Sequence, residues 1–145
     1  MNTKTVNKIA TALLLVMFTA LVSIITYLVY PVNIISVVQP YKVLNENKEV
    51  VRGEKLVYEV EYTKHTDTPA VIYRNVVCDD GNLVTLSPVD SNVPRGEHKI
   101  VRSDVVIPGK TSLGMCKLSI VLDYEWSHIR DIRYNFETES FKVIK

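Results

Sequence analysis

Ile9 to Tyr30 is a run of 22 residues without a charged side chain, and it constrains the chain more than any other feature. A helix rises about 1.5 Å per residue, so a run this long crosses a hydrocarbon layer of about 30 Å. Backbone groups have no water to bond there, and a single segment satisfies them only as a helix. Pro31 follows directly and cannot continue it. Tyr27 and Tyr30 stand at its C-terminal end, where amphipathic rings favour the headgroup layer. The rival reading is a cleaved secretory signal. Such a signal has a shorter apolar core and small residues at a cleavage site. Here the apolar run continues past Ser23, and Leu21 with Ser23 makes a poor cleavage pair, so an uncleaved anchor is the better reading.

The flanking charges orient the helix. Lys4, Lys8 and the terminal amine precede it, while Pro31 to Tyr41 carries no charge. Positive residues stay on the cytoplasmic side, which puts the N-terminus inside and the rest of the chain outside. The expected organisation is a cytoplasmic tail over residues 1–8, a transmembrane helix over 9–30 and an extracytoplasmic domain over 31–145. Thr19, Ser23 and Thr26 share one helical face and suit either helix pairing, hence a homo-oligomer, or plain contact with lipid.

After Val32 the pattern turns to short alternating runs, the mark of half-buried strands. Strands are expected at Val32 to Val38, Lys55 to Thr63, Ala70 to Cys78, Leu83 to Leu86, His98 to Ile107, Met115 to Tyr124 and Arg133 to Val143, the last broken near Glu139-Ser140. In the second, Leu56, Tyr58, Val60 and Tyr62 face one way. In the sixth, Cys116, Leu118, Ile120, Leu122 and Tyr124 do so. Asp79-Asp80-Gly81-Asn82 reads as a hairpin turn, because Asp and Gly tolerate left-handed backbone angles. Ser87 to Gly96, with two prolines, reads as a loop. About seven strands with near-regular turns predict a mainly β immunoglobulin-like sandwich, with a meander or small barrel as competitor.

Two cysteines follow from that topology. Cys78 ends the third expected strand and Cys116 begins the sixth, and these are antiparallel neighbours in such a sandwich. A cross-strand disulfide is therefore expected, in a compartment oxidising enough to keep it. Two separate buried thiols are the alternative. The pattern departs from the antibody disulfide, since Trp126 falls after the sixth strand and Gly114 stands two places before the second cysteine.

No motif for chemistry survives inspection. His65, His98 and His128 lack metal-ligand spacing from one another or from cysteine. Met115-Cys116 has no histidine close behind it, as a blue-copper loop would need. Asp79, Asp80 and Asn82 lack the calcium-loop pattern and suit the hairpin better. The sequence holds no phosphate-cradling glycine loop and no Gly-x-Ser-x-Gly elbow. No catalytic, metal or cofactor residue is assigned. With 17 basic against 16 acidic side chains, net +1, the chain has no basic stripe for nucleic acid. Trp126 among Arg130, Arg133, Asp131 and Glu125 has the composition of a protein-contact hot spot, or of a cap on the core.

Ile107-Pro108-Gly109-Lys110, Cys116-Lys117-Leu118, Asp123-Tyr124, Ile129-Arg130 and Thr138-Glu139-Ser140-Phe141-Lys142-Val143 resemble a pattern in small, N-terminally anchored β-sandwich proteins of tailed bacteriophages and prophages. The resemblance covers about a quarter of the chain. It implies the inner membrane of a bacterial envelope, with the domain periplasmic or extracellular, and brings no catalytic residue. The expected function is a non-catalytic binding or scaffold module meeting a protein partner. The alternatives are an envelope enzyme or enzyme accessory with a site in the loops, and a structural subunit of a membrane assembly.

Overall fold

The computed structural model describes residues 3–127 and 130–145, and His128 lies outside them. It divides into two compact units, Met1–Val32 and Asn33–Lys145. The first is one helix, α1 (Thr3–Val29). Its stretch Asn7–Val29 has a mean hydropathy of 2.5 and is long and apolar enough to span a membrane. Four hydroxyls on it turn back to carbonyls four residues earlier: Thr11 to Asn7, Thr19 to Leu15, Ser23 to Thr19 and Thr26 to Val22, at 2.8–2.9 Å. Each of these four hydroxyls is thus satisfied within the helix.

Among the described residues the second unit has ten strands in two sheets. They are β1 (Ile35–Val37), β2 (Lys42–Val43), β3 (Glu49–Val51), β4 (Lys55–Lys64), β5 (Ala70–Cys78), β6 (Leu83–Ser91), β7 (Gly96–Val106), β8 (Gly114–Ser127), β9 (Arg130–Glu137) and β10 (Phe141–Ile144). In one sheet β4 is the spine, with β1 and β2 sharing one of its edges and β7 along the other. In the other, β8 is the spine. It has β5 then β6 on one side, and β9 followed by β10 on the other, with β3 parallel to β10 at the end.

The facing sides follow the alternation in the sequence. Leu56, Tyr58 and Val60 of β4 are buried, and so are Cys116, Leu118, Ile120, Leu122 and Tyr124 of β8. Tyr41 joins the two layers. Its ring lies 6.3 Å from that of Tyr58 and 6.0 Å from that of Phe136, and its backbone bonds Glu137 and Glu139. Where β9 gives way to β10, the ladder beside β8 is kept whole by Thr138. Its hydroxyl accepts the Leu118 N–H at 3.0 Å, and its own N–H donates to the Leu118 carbonyl at 3.0 Å.

Cys78 and Cys116 stand directly opposite each other on β5 and β8, 3.9 Å apart at Cα, and are disulfide-bonded. The Asp79 N–H bonds the Met115 carbonyl, one step along. The cysteines therefore occupy a non-hydrogen-bonded pair, the position where cross-strand side chains come closest.

Three expectations need correction. The stretch from Ser87 to Ser91 is strand, not loop. It lies on the outer edge of its sheet, and the pairing slips between Ile72 and Arg74 so that Ser87-Pro88 forms a bulge. A bulge on an edge strand is where a proline costs no ladder bond. The expected first strand shortens to Ile35–Val37, and the segments after it add β2 and β3, too short to show a period. Trp126 lies within β8, not after it, at a second irregularity between Glu125 and Ser127. The break near Glu139-Ser140 is present and separates β9 from β10.

Candidate binding cleft

Strand β6 forms one edge of its sheet and β7 one edge of the other, and a cleft of about 90 Å³ lies between the facing layers beside them. One water needs about 10–15 Å³, so the space admits several waters or a thin side chain. Its walls mix aromatic rings with ionic groups: Tyr58, Tyr62 and Tyr124 with Lys64, Arg74 and Asp104, among others.

Two of those ions are where the alternation places apolar residues. On β4 the inward phase Leu56, Tyr58, Val60, Tyr62 ends on Lys64, which is 4% exposed. On β5 the inward phase Ala70, Ile72, Arg74, Val76, Cys78 has Arg74 at its centre, 8% exposed. The third ion arrives through an irregularity. Pairing of β4 with β7 slips between Leu56 and Tyr58, where Ser103-Asp104 make a bulge. Such a bulge switches which side chains point inward and re-aims its own. Asp104 thereby reaches across to the other sheet, with Oδ2 2.6 Å from Arg74 Nη1. Arg74 Nη2 donates to the Ser87 carbonyl at 3.4 Å, while its buried Nε has no partner.

Lys64 is held differently. Its ammonium donates to the Val93 carbonyl at 2.6 Å and sits over the Tyr124 ring, 5.9 Å from the centroid. Burial lowers its pKa, against the pull of Asp67. The rings around it are neutral donors. Burial pushes the Tyr124 hydroxyl up to about 12. Tyr58 also rises to about 12, through burial first and the Asp104 charge second, with Arg74 and Arg102 opposing. Tyr62 is raised by burial too. Lys64, Arg74 and Arg102 face two lining carboxylates, Asp90 and Asp104, so the cleft carries a cationic excess. Tyrosine rings line the cleft beside these charges.

A wider concavity of about 440 Å³ is lined by Ser36, Glu61, Tyr62, Glu97, His98 and Lys99 among others. There Lys99 is already ion-paired, at 3.3 Å from Glu59 and 3.4 Å from Glu61. His98 lines it and His65 bonds the lining Ser36, and both are engaged locally. His65 Nε2 is 2.9 Å from the Ser36 hydroxyl, and His98 Nε2 donates to the Pro94 carbonyl at 2.9 Å. Among the described residues, no three His, Cys, Asp or Glu side chains gather as metal ligands would.

Trp126, Arg130 and Arg133 all lie on the β8–β9 hairpin. Trp126 is half-buried, and Ser127 pairs with Arg130. Arg133 is exposed on the outer face, and its guanidinium grips Asp123, the residue opposite it, at 2.8 and 2.9 Å. The hairpin thus gathers the three residues on adjoining strands, with Arg133 turned to Asp123.

The chain matches no family model, and no characterised protein is significantly similar to it.

The cleft itself escaped the sequence reading. Its signal was nonetheless present: a lysine and an arginine continuing the apolar phase of two strands. Lys64 was lost because the expected strand stopped at Thr63. Asp104 carried no signal, since a bulge breaks the alternation that would have located it.

Proposed function

We propose that the protein is a non-catalytic binding module on a single-pass anchor, and that the cleft between β6 and β7 receives its partner. The carrying observation is the pair of cations at core positions. Burying a charge costs several kcal/mol of desolvation even when it is paired, and apolar residues of similar volume serve stability as well or better. Lys64 and Arg74 so placed, around an open cleft, suit recognition better than folding.

In this reading α1 is the membrane anchor. Its apolar side chains support that role: Leu14, Met17 and Phe18 are 67–68% exposed, and water is a poor surrounding for a helix apolar on every side. The lysines before the helix favour the N-terminus inside and the domain outside. The disulfide favours the same side, because the cytoplasm keeps thiols reduced. The resemblance to anchored phage proteins supports a bacterial inner membrane. The domain is read as an immunoglobulin-like sandwich, with β5, β8 and β9 side by side in one sheet and β4 with β7 in the other. It departs from antibody domains in having its disulfide within one sheet. Trp126, Arg130 and Arg133 are read as an additional contact surface on the β8–β9 hairpin.

A photo-reactive residue at Val89, which lines the cleft, tests the reading on intact cells against the same residue at Thr85, on the outer face of β6. A discrete adduct from position 89 and none from 85 is expected. Equal adducts from both, or none from either, would count against the cleft as the binding site.

A further inference from the structure

We propose, resting on the cleft as the binding site, that its Lys64 end is built to take a carboxylate. An ammonium has three N–H donors. Among the described residues Lys64 uses one, on the Val93 carbonyl, and has no carboxylate within ion-pair distance. Asp67, the acid that acts on it from a distance, spends Oδ1 on the Arg95 N–H at 2.7 Å. Asp90 lines the same cleft without an ion pair to the lysine. A buried cation is stable when paired and hydrogen-bonded, so Lys64 is a charge waiting for its counter-ion.

The surroundings choose among anions. Phosphate sites present several converging donors, commonly backbone N–H groups at a helix N-terminus or a glycine-rich nest. This end of the cleft offers one ammonium, with tyrosine rings and aliphatic side chains beside it, and that suits a single carboxylate. The space also limits the body behind it. From the Lys64 end, marked by Ala70 at the start of β5, to Arg74 is four residues, or about 13 Å at about 3.3 Å each. Ile72, Ile120 and Leu122 line the cleft. At about 90 Å³ it accepts a thin aliphatic chain. The fitting group is a carboxylate on a short methylene chain. A free dicarboxylate carries one, and so does a glutamate side chain on an extended protein segment.

The test uses the full chain in detergent micelles with isotope-labelled lysine and methyl groups. The probes are glutarate, an acetylated and amidated glutamate tripeptide, the neutral glutaramide, and inorganic phosphate. The expected result is a saturable shift of the Lys64 side-chain resonance and of the Ile72 and Leu122 methyls. It should appear with glutarate or the glutamate peptide, with at least tenfold weaker response to glutaramide and phosphate. Whichever carboxylate binds more tightly identifies a small molecule or a protein segment as the source. Lys64→Gln should lose at least tenfold in affinity with the other methyl shifts retained. The comparison with glutaramide needs no variant, so it holds even if Lys64→Gln unfolds. A Lys64 resonance unmoved by both carboxylates, or glutaramide or phosphate binding equally well, overturns the proposal. If Val89 still cross-links on cells in that case, the cleft remains a binding site and only its anion preference is wrong.

Discussion

Single side chains in this domain do work that backbone does elsewhere, and Thr138 is the clearest case. It is 1% exposed and occupies the step between β9 and β10, where the Leu118 N–H would otherwise face nothing. Thr138→Val keeps the shape and removes the acceptor. An unsatisfied buried donor costs about 1–3 kcal/mol, so a loss of that size is expected in a denaturant melt. An unchanged midpoint would mean the hydroxyl bond carries nothing.

The buried tyrosines give a second residue-scale expectation. Tyr58 and Tyr124 ionise near 12 in the folded protein against 10.0 ordinarily. A raised folded pKa means the unfolded chain loses these protons first. The stability they contribute is whole below about 10 and is lost as the pH rises toward about 12. Ultraviolet titration should therefore show two tyrosine classes. The Tyr58–Tyr124 class ionises together with unfolding. One smooth transition at the ordinary value, without unfolding, would contradict the burial.

At the scale of elements, legibility tracked regularity. β8 was readable because five inward residues alternate without interruption, and its pairing with β5 put Cys78 opposite Cys116 as the strand order required. β6 runs past Pro88, whose presence suggests a loop. On an outer edge, at a bulge, Pro88 ends nothing. β2 and β3 hold two and three residues, fewer than one can test for a period. The candidate site was legible only in part: Lys64 and Arg74 continue an apolar phase that the alternation shows, whereas Asp104 sits in a bulge that breaks it. The cysteine pair also predicts a number. The bridge closes a loop of 38 residues, and removing it as Cys78→Ala with Cys116→Ala should cost about 3–4 kcal/mol by freeing the unfolded chain. A loss well under about 1 kcal/mol in the denaturant melt would mean the bridge does not constrain the unfolded state.

For the whole molecule, anchor, compartment and cleft form one account. In the proposed account α1 spans a membrane, the lysines before it put the N-terminus inside, and the disulfide-bonded domain lies on the oxidising side. The cleft then faces whatever that side offers. The most direct test is labelling of intact cells with a membrane-impermeant, lysine-reactive reagent, followed by peptide mapping. Lys55, Lys110 and Lys117 are exposed on the domain, whereas Lys8 precedes the apolar run. The account predicts labelling of the three domain lysines on intact cells and of Lys8 only after lysis. Domain lysines that react only after lysis would place the domain in the cytoplasm, and the topology, the disulfide's compartment and the proposed extracytoplasmic partner would be contradicted together.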